Sequence, residues 1–300
     1  MKRLSGMFQQ SRRAGDSVVN SMVDSVVDSV GNTGSPQSPR VTPVLNVQGL
    51  TVQRQRQVAV QNVSFSLQPG TDTAVVGPNG AGKSTLIKAL LGILPHHAGE
   101  VWMMGHRLSP TGQLPNGVRQ DIAYLPQSFL FDRRLPMTVE EWVGLGWDSL
   151  GWQLPWQGGN DRRQAIRRAL TTVEAWPLRQ KLLSTLSGGQ TKRVLLAYCL
   201  VRPRRLLILD EAPAGLDLRS EWDFYQLLKQ LKQEQGWAIL QVSHNLEMVQ
   251  RNCDHVICLN QMIRCQGSPH HTLTDENLSL TYGVGFVRYH HACHGQEADS

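Results

Sequence analysis

The chain is 300 residues long with 40% hydrophobic residues, enough to bury a core and, at ordinary domain sizes, to build about two domains or subdomains. Lys and Arg number 30 against 24 Asp and Glu, a net charge of +6 that is scattered, which suits nucleotides or lipid headgroups better than a nucleic-acid stripe. No run approaches the ~20 apolar residues of a spanning helix, residues 1–15 lack the apolar core of a secretory signal, and the 5 cysteines form no CxxC pair, which speaks against a disulfide framework and for a reducing compartment.

The first 43 residues are rich in Ser, Asp, Asn, Gly and Pro and repeat a tetrad (DSVV, NSMV, DSVV, DSV) between Asp16 and Val30. Its apolar pairs outline one face of a short helix, but the residues are poor helix formers without a partner surface. Residues 1–43 therefore read as a disordered extension, with a conditional amphipathic anchor as the alternative. Order is expected from Val44. VLNVQGLTVQ and VAVQNVSFSLQPG alternate apolar and polar residues, with Val63, Phe65 and Leu67 on one face, the pattern of an antiparallel strand pair. TAVVG is instead a continuous apolar run, feeding a glycine-rich turn and a helix predicted from about Lys83 to Leu94.

Residues 128–185 read as helical. Thr138 and Glu141 have capping-box spacing, and Asp161 is placed to cap a second helix with Ala165, Ile166, Ala169, Leu170 and Val173 on one face. A Trp-rich connection (Trp147, Trp152, Trp156) lies between them. Further on, RRLLILDE and WAILQVSH are strands of the kind buried on both faces in a parallel sheet. The element order predicts an α/β fold: an antiparallel β subdomain, a parallel-sheet core and an inserted helical subdomain.

GPNGAGKST matches G-x-x-x-x-G-K-[ST] directly after a strand and at the opening of a helix, the context this phosphate loop requires. In the run Gly77, Pro78, Asn79, Gly80, Ala81 and Gly82 the glycines would let backbone N–H groups converge on phosphate oxygens without Cβ obstruction, and the helix N-terminus adds partial positive charge. Lys83 would reach the β- and γ-phosphates, and Ser84, followed by Thr85, would offer its hydroxyl to Mg²⁺. LLILDE supplies the matching acids. Asp210 at the strand end suits the magnesium, and Glu211 is placed to position and polarise an attacking water. An acidic pair after an apolar strand can also be a helix-capping turn, but the phosphate loop makes the catalytic reading the better one. LSGGQ (Leu186 to Gln190) sets a serine and two glycines at a helix start, an arrangement suited to an anion.

With the YLPQ glutamine at Gln127, AGLD ending at Asp217 and VSH ending at His244, these segments stand in one order along about residues 44–285. That ordered set resembles an ABC-transporter ATP-binding subunit, a P-loop ABC ATPase cassette over residues 44–283 followed by a tail at 284–300. The resemblance implies an ATPase whose cassettes pair head to tail, so that Ser187, Gly188, Gly189 and Gln190 close over the γ-phosphate held by the other copy. It implies that Gln127 contacts the magnesium or the attacking water, that His244 hydrogen-bonds the γ-phosphate and that Asp217 bridges the two sites. The implied cofactors are ATP and Mg²⁺.

The implied partners are a second copy of the chain, integral-membrane permease subunits and an extracytoplasmic substrate-binding protein, with no nucleic acid. The implied location is peripheral, on the cytoplasmic face of the inner membrane. Similar cassettes carry an adenine-stacking aromatic after the first strand; LTVQRQRQVAV has none, and Arg54 stands nearby. YLPQSFLFDRRLPMTVEEWVGLG, CDHVICLNQMIRCQG and VSHNLEMV resemble the zinc and manganese importers in particular. An exporter or another cargo is the alternative, and a soluble ABC ATPase is disfavoured because the chain has neither a second cassette nor a long coiled coil. His290, His291, Cys293 and His294 in the tail carry metal-ligand chemistry suited to a regulatory site, although their spacing fits no fixed zinc motif.

Overall fold

The computed structural model describes residues 42–127, 136–147, 159–211 and 218–283. The first layer among them is a four-stranded antiparallel sheet in the order β2-β1-β4-β5, from β1 (Leu45–Arg54), β2 (Gln57–Leu67), β4 (Ala98–Met103) and β5 (His106–Arg107). Alternation in β2 is realised as expected, with Val63, Phe65 and Leu67 all buried. Register pairs run from Leu45 opposite Leu67 to Arg54 opposite Gln57.

The second layer is a six-stranded sheet in the order β10-β9-β3-β8-β7-β6. Its central strands β3 (Asp72–Val76), β7 (Leu206–Asp210) and β8 (Ala238–Val242) are buried at every position, as strands covered on both faces must be. β6 (Ile122–Leu125) and β9 (His255–Asn260) extend it in parallel, and β10 (Met262–Gly267) closes it as an antiparallel edge.

Helix α1 (Lys83–Leu90) follows β3 and packs Leu86, Ile87 and Leu90 into the core shared by the two sheets. It ends short of the predicted Leu94, because Gly92 adopts a positive φ of 69° and the chain turns there. After a short α2 (Asn116–Gln120), α3 (Val139–Leu145), α4 (Gly159–Thr172) and α5 (Gly188–Leu200) gather on a second core around Val143, Ile166, Leu170 and Leu196. Thr138 and Glu141 form the complete capping box. Asp161 is not a cap: α4 begins two residues earlier, which puts the carboxylate in the first turn, where it still complements the helix dipole. Trp152 and Trp156 lie outside the described residues, whereas Trp147 packs at the rim of this core. The chain finishes with α6 (Leu218–Gln235), α7 (Leu246–Asn252), α8 (Pro269–Thr272) and α9 (Asp275–Tyr282).

Candidate functional site

Parallel pairing decides where the chemistry collects. Val75 and Asp210 are both in register with Val242, and Leu125 with Leu209. The residues just past those strands, Gly77, Gln127, Glu211 and His244, therefore gather at one edge of the sheet. The carboxyl edge of such a sheet is where open α/β folds bind ligands.

The loop from Gly77 to Gly82 is shaped by close backbone approaches. A Cβ on Gly82, whose φ is +96°, would lie 2.2 Å from the Ala59 carbonyl oxygen. Gly82 is also the N-cap of α1, so its conformation aims the first N–H groups of that helix into the loop. Lys83 donates from Nζ to the carbonyl oxygens of Gly77 (2.7 Å) and Pro78 (2.9 Å), which holds a buried ammonium inside the loop. Burial lowers its pKa, and the nearby Glu211 and Asp210 charges oppose that shift.

Asp210 ends β7 and is 3% exposed. Burial raises its pKa, and the Ser84 hydroxyl, donating to Oδ1 at 3.3 Å, pulls the other way. Glu211 leaves the strand with φ +52°, a left-handed conformation costing a non-glycine residue about 1–2 kcal/mol. Its N–H still bonds the Val242 carbonyl, so the turn is tied to β8. The carboxylate then sits between two side chains that the sequence singled out from distant segments. Gln127 donates from Nε2 to Oε2, and His244 Nε2 lies 2.6 Å from Oε1.

Gln127 and Glu211 face a cavity of about 490 Å³. The phosphate loop from Asn79 to Thr85, Gln127 and Glu211 line it, and Arg54 and Gln57 line it from the antiparallel sheet. Arg54 thus shares the cavity with the phosphate loop, at the end of β1 where Gln55 and Arg56 both turn with positive φ. Gln261 is a further lining residue that sequence reasoning missed. It occupies the β9–β10 turn at φ +59°, and its N–H donates to the Ala81 carbonyl at 2.8 Å. Its sequence signal was only an Asn-Gln step between two strand-like runs.

Residues 60–214 match the ABC transporter family. The zinc import ATP-binding protein ZnuC 1 of Hahella chejuensis is 36% identical over 246 residues, spanning 82% of this chain and 86% of that protein. The manganese transport system ATP-binding protein MntB of Listeria monocytogenes is 35% identical, spanning 82% of this chain and 98% of that protein. The chain belongs to the ABC transporter ATP-binding family. Its members are ATPases coupled to transport, and this chain is such an ATP-binding subunit. Among solved structures, cbiO1 of Clostridium perfringens, part of the ABC transporter complex cbiONQ, matches with a TM-score of 0.66 at 26% identity. That match covers 78% of this chain and 92% of the other.

The remaining elements of this ABC subunit fall into two groups. LSGGQ starts α5: the Ser187 hydroxyl accepts from the Gln190 N–H at 3.3 Å, and the Gln190 side chain returns to the Ser187 N–H at 3.2 Å. Gln190, which the resemblance places among the phosphate contacts, completes this capping box. None of Ser187, Gly188, Gly189 and Gln190 lines the phosphate-loop cavity of its own chain. Gly188 is exposed, and a Cβ there would meet nothing within 4 Å. Asp217 and the tail group of His290, His291, Cys293 and His294 lie outside the described residues. Among the described residues, no three His, Cys, Asp or Glu side chains cluster as metal ligands.

Proposed function

We propose that this ABC subunit powers uptake of a metal ion, zinc or manganese, by hydrolysing ATP between two copies of itself, with Glu211 at the hydrolytic centre. The observation that carries this reading is the Glu211 carboxylate, held between Gln127 and His244 beside the phosphate-loop cavity. The backbone N–H groups from Gly80 to Thr85 and the Lys83 ammonium bind the phosphates. Glu211 orients the attacking water and accepts its proton, while His244 fixes the carboxylate and faces the γ-phosphate. Gln127, tethered to Glu211, passes the occupancy of the site towards the helical segment that follows it.

The oxygens here suit Mg²⁺: the Asp210 carboxylate, whose charged form burial disfavours, the Ser84 hydroxyl bonded to it and the Gln127 amide. When bound, that ion would neutralise charge on the transferring phosphoryl group.

Gly188 supports pairing between copies. Nothing among the described residues fills the space where its side chain would be, yet glycine in place of alanine costs about 0.4–1 kcal/mol through the freer unfolded chain. A phosphate approaching from a second copy gives that glycine a purpose. Ser187, Gly188 and Gly189 would then close over the γ-phosphate at the start of α5, with Asp217 bridging the two sites. No helix among the described residues is long and apolar enough to cross a membrane. The subunit works peripherally, on the cytoplasmic face of the inner membrane. It docks on permease subunits that receive their metal from an extracytoplasmic binding protein.

The relatives named for zinc import and manganese transport support the cargo. Cellular metal content tests it, in a strain lacking the chain and complemented with wild type or Lys83→Ala under metal limitation. Zinc or manganese should fall selectively and be rescued by wild type alone. Unchanged metals would remove the cargo assignment.

A further inference from the structure

The β9–β10 hairpin grips the phosphate loop at both ends. At one end the Leu259 carbonyl lies against Gly77 so closely that a Cβ there would be 2.0 Å away, and at the other the Gln261 N–H bonds Ala81. Tyr282 of α9 adds a hydroxyl that accepts from the Gly77 backbone. The position of the loop is therefore set by the hairpin as much as by β3.

Two cysteines face each other across this hairpin. Near the turn, Met262 pairs with Asn260 and Ile263 with Leu259, a register that would put Cys265 opposite Ile257. A shift between Ile263 and Cys265 pairs it with Cys258 instead, so the two thiols lie opposite one another on neighbouring strands. Residues directly opposed in antiparallel strands have Cα atoms about 4.5–5.5 Å apart, within the ~4.4–6.8 Å span that a disulfide bridges. Cys258 is fully buried and in register with Val76, the residue before Gly77. Cys265 is half-buried on the edge strand of the sheet. The neighbouring thiol lowers the Cys265 pKa and raises that of Cys258, which burial raises further. Cys265 is thus both the more accessible thiol and the first to ionise. By contrast, burial pushes Cys199 up to about 12 and Cys253 higher still.

We propose that Cys258 and Cys265 form a reversible disulfide that weakens ATP binding by displacing the hairpin from the phosphate loop. The oxidant is a low-molecular-weight disulfide. The Cys265 thiolate attacks one of its sulfurs, breaking that S–S bond and releasing one thiolate. Cys258, giving up its proton, attacks the Cys265 sulfur of the mixed disulfide and releases the second. Two cysteine thiols are oxidised, one external disulfide is reduced, and the two protons leave on the two released thiols. A covalent S–S bond of about 2.05 Å is shorter than any contact between two thiols, and Leu259, the neighbour of Cys258, has no clearance from Gly77 to absorb the movement.

The coupling rests on the nucleotide-site reading, and the test separates the two. Full-length reduced protein is titrated with oxidised glutathione, the bond is mapped by peptide mass spectrometry, and ATP affinity is measured by calorimetry. A Cys258–Cys265 disulfide should form and raise the ATP Kd by about tenfold, in the usual range of coupling between sites, with dithiothreitol restoring it. Cys265→Ser should keep the reduced affinity under oxidant, and Cys253→Ser should still switch. Reversal by dithiothreitol in the wild type tests the coupling even if a variant fails to fold. Absence of that disulfide, or its formation with unchanged ATP affinity, would overturn the proposal. A reduced chain that did not bind ATP at all would overturn the nucleotide site itself, and the coupling with it.

Discussion

Gly188→Ala separates what the chain needs to fold from what it needs to work. The new Cβ meets nothing within 4 Å, and the position opens helix α5 without disturbing the capping box between Ser187 and Gln190. Replacing a glycine by alanine where the backbone already suits alanine is worth about 0.4–1 kcal/mol. In a domain of this size that corresponds to a rise in Tm of about 1–4 °C. Function should move the other way. A methyl group between the α5 N-terminus and a phosphate held by the second copy obstructs a charge-assisted hydrogen bond worth about 1.5–3 kcal/mol. ATP-driven pairing and hydrolysis should therefore drop by roughly 10- to 100-fold, since each ~1.4 kcal/mol is tenfold. Gly82→Ala is the contrasting control: its Cβ strikes the Ala59 carbonyl at a positive φ, so the melting temperature itself should fall. Thermal melts and steady-state ATPase assays on both variants decide the matter. A Gly188→Ala protein that is less stable than wild type, or that hydrolyses ATP at the wild-type rate, would refute the reasoning.

Lys83→Ala removes the ammonium that now bonds the Gly77 and Pro78 carbonyls, and calorimetry should find ATP binding weakened by at least about tenfold, the loss of one hydrogen bond to a charged group. Asp72, at the buried start of β3, takes two hydrogen bonds from Gln241 Nε2, yet burial pushes its pKa up from 3.8 to about 7, with Lys232, Asp254 and Cys253 as its other neighbours. Because its folded pKa is the higher one, its contribution is full below pH 3.8, declines as pH rises and levels off above about 7. The stability of wild type relative to Asp72→Asn should accordingly fall by about 1.4 kcal/mol per pH unit between pH 5 and 7 in denaturant titrations. A difference that stays flat over that range would mean that Asp72 is already ionised.

Local patterns were legible in the sequence because each is carried by neighbouring residues. The alternation in β2, the capping box of Thr138 and Glu141 and the apolar face of α4 are all formed by side chains a few positions apart. The gathering of Gln127, Glu211 and His244 depends on sheet register, which no local pattern encodes; only the ordered set of motifs pointed to it. Features created by the meeting of distant backbones were invisible. Gln261 reaches Ala81, and Cys258 meets Cys265, through a hairpin whose register shift cannot be read from CDHVICLNQMIRCQG. Gln190 illustrates a different limit: a residue that the family resemblance places at the phosphate also caps its own helix, a second role that the motif does not reveal.

The measurement closest to the central claim is made on Glu211→Gln. Its hydrolysis rate and its sedimentation with ATP and Mg²⁺ are followed together. If Glu211 polarises the water in a site shared by two copies, hydrolysis should fall by about 10²–10⁴-fold while ATP is retained and the protein sediments as a stable dimer. Hydrolysis at the wild-type rate, or a monomer at saturating ATP, would contradict the account.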